Sequence, residues 1–347
     1  MAPLILQQNP AVKNTIALPF ITIALQIDTT NISKAQIEQK IKLSIDKVEN
    51  DLNLINGIPD YMVNPAVNQL RTIMNTLNYN ANKKSVVIFL SPFVEKVFYL
   101  NFLIEEKVVV GEPLNIRELT LTKREEMKYL VLSLHRDQSF IYLGVGKRLS
   151  LIVFNAAEHI KSRFNTGKEK FLLHVENVLT HILKTYSLPL IAVGDEALLS
   201  LFKSISKNSK EIIQTVNAEA DEENMSYVQQ LVRPLIQDWE KIKEKYLLMK
   251  LDKALNNKKA KIGIDNVCKA AKEKRGKILI VEKDFQYPFR VADTTELMYA
   301  NAVSANGSLL ITDPVEEAIE RVLGEGGNIE FVSSNALDNY MHIALIL

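Results

Sequence analysis

The sequence predicts an α/β protein built from three consecutive units. Short apolar runs with a period of two alternate along the chain with stretches whose apolar residues recur every three or four positions, the signatures of strand and helix. At 347 residues and 47% hydrophobic composition, the chain exceeds the usual size of a single core. Two or three packed units are therefore expected, each burying a core of its own. Disorder is excluded on the same grounds, because this much apolar surface offsets the entropy lost on ordering the chain.

The first unit opens with Ile21, Ile23, Leu25 and Ile27 alternating with Thr22, Ala24 and Gln26, the pattern of a half-buried strand. Ser33 stands three residues before Gln36, a capping-box spacing, and Ile37, Ile41, Ile45 and Val48 follow at helical intervals. Gly57, Pro59 and Pro65 interrupt, a second helical pattern runs through Val67, Leu70, Ile73 and Leu77, and Ser85 to Pro92 returns to strand. Two further β-rich runs end at Gly111 and Pro113.

A second unit begins near Lys123. Three β-rich runs, separated by the turn His135 to Gln138 and by Gly144 to Lys147, read as an antiparallel meander. Phe171, Leu172, Val175, Val178, Leu179, Ile182 and Leu183 mark a helix; Leu188 to Asp195 is a buried strand, and another helical stretch follows. The polar stretch Asn217 to Asn224 is the best linker candidate. The third unit then opens with a helix carrying Leu235, Trp239, Ile242, Tyr246 and Met249. Beyond it lie a helix ended by Gly276, a strand from Lys277, a strand near Leu309, a helix begun by Asp313 and Pro314 and closed by Gly324 to Gly327, and two final strands. The expected boundaries are 1–122, 123–225 and 226–347.

Lys plus Arg total 42 against 41 Asp plus Glu, a net of +1. Whole-protein attraction to nucleic acid is thereby excluded, and any such contact must come from a local patch. A single cysteine, Cys268, forms no intramolecular disulfide and supplies no multi-thiolate site. The stretch Ile16 to Ile27 is too short to span a bilayer and is interrupted by Pro19 and Thr22, so a cytoplasmic protein is expected.

The third unit, from Lys261 to Pro288, resembles the helix–strand core shared by kink-turn RNA-binding ribosomal proteins and the C-terminal domain of class-one release factors. Its ending, Gly324 to Leu347, resembles the release-factor version. The meander, long helix and LPLIAVGDEALL of the middle unit are similar to the RNase-H-like central domain of release factors and Pelota proteins, and Val86 to Leu119 is similar to a segment of bacterial release-factor-like families. The resemblance implies an N-terminal α/β unit, an RNase-H-like central domain and a C-terminal kink-turn-binder-like α/β sandwich.

Release factors carry a Gly-Gly-Gln tip between the last meander strand and the long helix. Here that stretch, Ala156 to Phe171, holds one glycine, Gly167, and no glutamine. A single Gly flanked by Thr166 and Lys168 does not reproduce the freedom of two consecutive glycines, so peptidyl-tRNA hydrolysis is not expected. Asn31 to Lys34 shares the letters of the family's Asn-Ile-Lys-Ser in another order, and a helix cap explains it. Where kink-turn binders have Gly-x-Asn-Glu, this chain reads Gly263, Ile264, Asp265, Asn266.

Charge is divided within the third unit. From Lys241 to Lys277 there are 13 Lys or Arg and 4 Asp or Glu; from Ile278 to Leu347 there are 3 and 11. Lys258, Lys259, Lys261, Lys272, Lys274 and Arg275 are the candidate phosphate contacts there, and Lys161, Arg163, Lys168 and Lys170 bracket the tip loop. The alternative is a pair of solvated helix faces balanced by the acidic half of the same unit. No histidine finds a metal partner by spacing: His174 and His181 stand about 10 Å apart along a helix, too far for one ion. No catalytic residues, metal ligands or cofactors are assigned.

Three functional readings follow from the resemblance and the residues. The first is a non-catalytic ribosome- or tRNA-associated release-factor homologue, acting in translation stress, rescue or hibernation. The second is an enzyme, a metal-dependent nuclease or hydrolase with a site between the first and middle units, for which the meander offers only Asp137. The third is a protein-interaction module with no RNA partner.

Overall fold

The computed structural model describes residues 20–55, 58, 60–78, 83–91, 94–111, 115–157, 168–218, 224–287, 302–303, 309–310 and 313–347. The chain is α/β as expected, and it divides into two compact units, 1–125 together with 259–347, and 126–258.

In the discontinuous unit, β1 (Phe20–Gln26), β2 (Ser85–Ser91), β3 (Val94–Leu100) and β4 (Lys107–Gly111) form an antiparallel sheet in the order β3-β2-β1-β4. The helices α1 (Lys34–Leu54) and α2 (Asp60–Asn75) cover one face. The expected capping box is present at the start of α1: Ser33 Oγ accepts the Gln36 amide and Gln36 Oε1 accepts the Ser33 amide. Ile21, Ile23 and Leu25 point to the helices, with Val86, Ile88 and Leu90 beside them.

The opposite face, carrying Ala24, Val87, Phe89, Phe98 and Leu100, is buried too. It packs with α3 (Ile116–Leu121), α8 (Ile264–Lys272) and α9 (Pro314–Gly324). Those helices also rest on a second sheet, formed by β10 (Ala260–Ile262), β11 (Ile278–Glu282), β14 (Asn328–Val332) and β15 (Ile343–Ile346) in the order β10-β15-β11-β14. Two points of the sequence reading are corrected here. β1 is not half-buried, since Thr22 and Ala24 are as inaccessible as their neighbours, and the N-terminal and C-terminal segments share one core rather than each burying its own. Helices from the end of the chain cover what would otherwise be a solvent face. Between β11 and α9 the short strands β12 (Ala302–Val303) and β13 (Leu309–Leu310) pair antiparallel.

Polar groups join the same two segments. Lys123 Nζ lies 2.7 Å from Glu330 Oε1, pairs with Glu125, and sits 4.7 Å from the Phe102 ring centroid. Arg117 on α3 donates to the carbonyls of Glu282, Lys283 and Phe285, locking the turn after β11. Cys268 packs in the core, its Sγ 3.5 Å from the Pro314 carbonyl; burial pushes the thiol up to about 11, which keeps it protonated and inert.

The continuous unit is built on one five-stranded sheet. β5 (Lys128–Leu134), β6 (Gln138–Val145) and β7 (Arg148–Ala156) make the expected meander, with Gly146 at φ +57° in the second hairpin turn. The long helix α4 (Lys168–Tyr186) follows, then β8 (Leu190–Gly194) parallel to β5, α5 (Glu196–Ile205) capped by Asp195, and β9 (Ile212–Asn217) parallel to β8. The strand order is β7-β6-β5-β8-β9. α4 and α5 cover one face. Their junction is pinned by the buried Glu176, which accepts from Ser206 Oγ at 2.5 Å, the amides of Lys207 and Asn208, and Asn208 Nδ2 at 2.7 Å.

The opposite face of this sheet meets α6 (Met225–Gln237) and packs against Trp239 at the head of α7 (Trp239–Asn256). Sequence periodicity reads one helix here. The chain leaves helical geometry at Asp238 (φ −105°, ψ 48°), which ends α6 and starts α7. Val228, Val232 and Ile236 then face Tyr129 and Tyr142, and Trp239 reaches Tyr129 at 6.2 Å between ring centroids. Of the expected linker, 219–223 lies outside the described residues.

Candidate nucleic-acid interface

The segment between β7 and α4 occupies the place where the resemblance puts a catalytic tip. Most of it, 158–167, with Lys161 and Arg163, lies outside the described residues. Lys168 is the first residue of α4, and Lys170 is exposed two positions on. The Ala157 amide donates to the Asp137 carbonyl at 2.8 Å, which ties the base of the segment to the β5–β6 turn.

The C-terminal cations are all exposed but fall into two groups. Lys272 lies 3.8 Å from Glu317, Lys274 is 2.9 Å from Glu325, and Arg275 is 3.2 Å from Glu273. Two of the three neutralising carboxylates come from α9 and its C-cap, so the acidic half of the segment offsets the charge of α8. Lys258, Lys259 and Lys261 make no ion pair among the described residues. Lys259 and Lys261 flank the last strand: the Leu347 amide donates to the Lys259 carbonyl, and Lys261 stands opposite Leu345. The lysines of α7 are largely engaged, Lys241 with Asp238, Lys245 with Gln214 and Lys253 with Glu211.

At the head of α8, Gly263 adopts φ +76°, and a Cβ there would fall 2.7 Å from Met341 Sδ. Glycine is required at this turn whatever the helix binds. Asp265 is exposed in the first turn, and Asn266 Nδ2 turns back to the Ile262 carbonyl at 3.1 Å. The residues standing where kink-turn binders carry their signature thus place a carboxylate, a poor partner for phosphate, on the surface.

The middle unit shows no cluster of metal-ligating side chains among its described residues. Asp195 sits at the carboxyl end of β8, but its Oδ1 is committed to the amides of Ala197 and Leu198. An open groove between α5 and β9, lined by Glu196, Ser200, Lys203, Thr215 and Asn217, contains none of the residues expected to contact RNA. Sequence order missed β9 and therefore this groove, because an edge strand with Gln214 and Thr215 between Ile213 and Val216 lacks clean alternation.

The fold is thus that of an α/β protein whose middle unit runs from a three-stranded meander through a connecting segment into a long helix. Residues 128–275 match bacterial archaeo-eukaryotic release factor family 3. Over that stretch the chain is similar to a release-factor-like family, in agreement with the resemblance carried by its sequence. Among solved structures it is similar to an archaeal translation termination factor, aRF1, at 14% identity over 96% of this chain and 93% of that one, with a TM-score of 0.25. It is also similar to Dom34 of S. cerevisiae, at 15% identity over 76% and 85% with a TM-score of 0.33, and to the Pelota protein of Thermoplasma acidophilum, at 12% identity over 76% and 85% with a TM-score of 0.27. No curated protein matches the chain. No helix among the described residues is long and apolar enough to cross a membrane.

Proposed function

We propose that this chain is a ribosome- or tRNA-associated release-factor homologue that does not hydrolyse peptidyl-tRNA, acting in the cytoplasm in translation stress, rescue or hibernation. The observation that carries the reading is the segment joining β7 to α4, which holds one glycine and no glutamine within the stretch 128–275 that matches a release-factor family. A backbone without paired glycines, and without the amide side chain that orients water, lacks the parts for ester cleavage. We further assign the middle unit to the RNase-H-like class and the C-terminal segment to the kink-turn-binder-like class, the sequence segments being 1–122, 123–225 and 226–347, of which the first and the part of the last beyond 258 share one core. Phosphate contact falls to Lys161, Arg163, Lys168 and Lys170 at the tip segment and to Lys258, Lys259 and Lys261, whereas Lys272, Lys274 and Arg275 contribute less because acids already face them.

The test is sedimentation of the purified chain with ribosomes through sucrose at low and rising salt, together with a peptide-release assay on ribosomes charged with peptidyl-tRNA. Comigration that weakens with salt, without peptide release, is expected. A chain found only in ribosome-free fractions at low salt overturns the association, and released peptide overturns the absence of hydrolysis.

A further inference from the structure

Three side chains that the sequence scatters meet at the end of β11. Glu282 is the last residue of that strand, Asp338 lies in the short 3₁₀ turn Asp338–Tyr340, and His342 immediately precedes β15. His342 Nδ1 is 2.9 Å from a Glu282 carboxylate oxygen and 3.7 Å from Asp338 Oδ1. One ligand atom from each of the three lies within 4.8 Å of the others. A single imidazole nitrogen facing two carboxylates from different elements is a mixed donor set, not a mere accumulation of negative charge. The two short separations bracket the roughly 3.3–3.4 Å that separates ligand atoms around a tetrahedral ion with bonds of about 2.0–2.1 Å.

Two of the three ligands are already held in place by their neighbours. Glu282 is buried, and its Oε1 accepts the Leu337 amide at 2.7 Å, which leaves Oε2 turned toward His342. The His342 ring stacks on Phe285 at 5.4 Å between centroids with an interplanar angle of 26°. Arg117, bonded to the carbonyls of Glu282 and Phe285, fixes the backbone beneath both. Such outer partners orient the ligands of metal sites generally. Asp338 is exposed and completes the set by a change of rotamer, while the half-exposed His342 leaves a fourth position open to water.

We propose that Glu282, Asp338 and His342 form a binding site for a divalent transition-metal ion of the zinc type, separate from the lysines discussed above and independent of the ribosome reading. One imidazole with two carboxylates suits zinc and its neighbours, whereas magnesium and calcium favour shells of six or more oxygens. The ion takes the place of the proton on Nδ1: that N–H bond breaks, the nitrogen lone pair passes to the metal, and the proton moves to Nε2 of a neutral ring or, from a doubly protonated ring, to solvent. Both carboxylates remain ionised. The bound ion ties the end of β11 to the turn that feeds β15.

The experiment uses the full chain without an affinity tag, stripped with chelator and titrated with Zn²⁺ alone by calorimetry in two buffers of different ionisation enthalpy. A parallel titration with Co²⁺ follows visible absorption. One equivalent is expected, with the bands of a four-coordinate cobalt ion. His342→Ala abolishes binding, Asp338→Asn weakens it about 10- to 100-fold, and His174→Ala, on the exposed face of α4, leaves it unchanged. Asp338 is exposed, so D338N decides the matter even if H342A misfolds. Absence of saturable binding at micromolar zinc, or D338N and H342A binding as the unaltered chain does, overturns the proposal.

Discussion

Glu316 of α9 accepts the backbone amide of Ile116 at 2.6 Å, so a carboxylate caps the first turn of a helix that lies 200 residues earlier in the chain. Asn115, the residue at the cap position of α3, makes no side-chain capping bond of its own. Burial, with Glu320 and Asp313 nearby, pushes the Glu316 carboxyl up to about 7, against the pull of the amides of Ile116 and Arg117 toward ionisation. The acid is thus raised from an ordinary value of 4.5.

A carboxyl whose folded pKa is raised stabilises the fold most below its unfolded value and loses that contribution as pH rises through the folded one. Between about pH 4.5 and 7, Glu316 alone therefore makes the protein less stable as pH increases, by up to roughly 3 kcal/mol. Glu316→Gln keeps an acceptor for the Ile116 amide and removes the charge. Denaturant midpoints measured from pH 5 to 8 are expected to fall less steeply with pH in the variant, which becomes the more stable form at pH 8. Glu316→Ala removes the cap as well and costs about 1–3 kcal/mol at pH 5.

Lys123 and Glu330 form a pair with side chains only 10% and 11% exposed. Lys123→Met strands a buried carboxylate and is expected to cost about 3–5 kcal/mol, because an uncompensated charge is worse than no pair. The double variant Lys123→Met, Glu330→Gln recovers most of that loss. Equilibrium unfolding of the two variants side by side checks it, and equal destabilisation by both shows that the pair's charge is not the cause.

Thr22 Oγ1 is buried in β1 and has no hydrogen-bond partner among the described residues. Its side chain lies on the face shared with the C-terminal helices, where Ala24 and Val87 are fully inaccessible. Thr22→Val replaces the hydroxyl by a methyl of similar size and is expected to stabilise the protein by about 1 kcal/mol. A thermal melt with unchanged m-value in denaturant gives the answer.

If the proposed RNA surface is used, Lys259→Gln and Lys261→Gln each lower the slope of log affinity against log salt by about 0.7–0.9. Lys272→Gln and Lys274→Gln change it less, since Glu317 and Glu325 already neutralise those cations. Ribosome pelleting across a salt series separates the two pairs; equal slopes in all four variants remove Lys259 and Lys261 from the interface.

Local chemistry was legible in the sequence and long-range cover was not. The box at Ser33 and Gln36, and the start of α9 at Asp313 and Pro314, could be read because donor and acceptor lie within three residues of each other. The burial of Thr22 could not, because the helices that cover it are encoded in the last third of the chain. The break at Asp238 was hidden by apolar spacing that continues across it from Leu235 to Trp239. Among the candidate cations, the net charges of the two halves showed only that acids were available to neutralise α8. The fold decides that Glu317 and Glu325 do so, while Lys259 and Lys261 are left to solvent. His342 had no partner in sequence because Glu282 lies 60 residues away.

The shared core also sets an order of events during synthesis. A nascent chain that has emerged only as far as Glu125 displays Val87, Phe89 and Phe98 on a naked hydrophobic wall, and the helix that carries Ile319 has not yet been translated. The intervening 126–258 is completed first. Premature termination inside that stretch leaves a sticky fragment, one that chaperones or proteases must intercept.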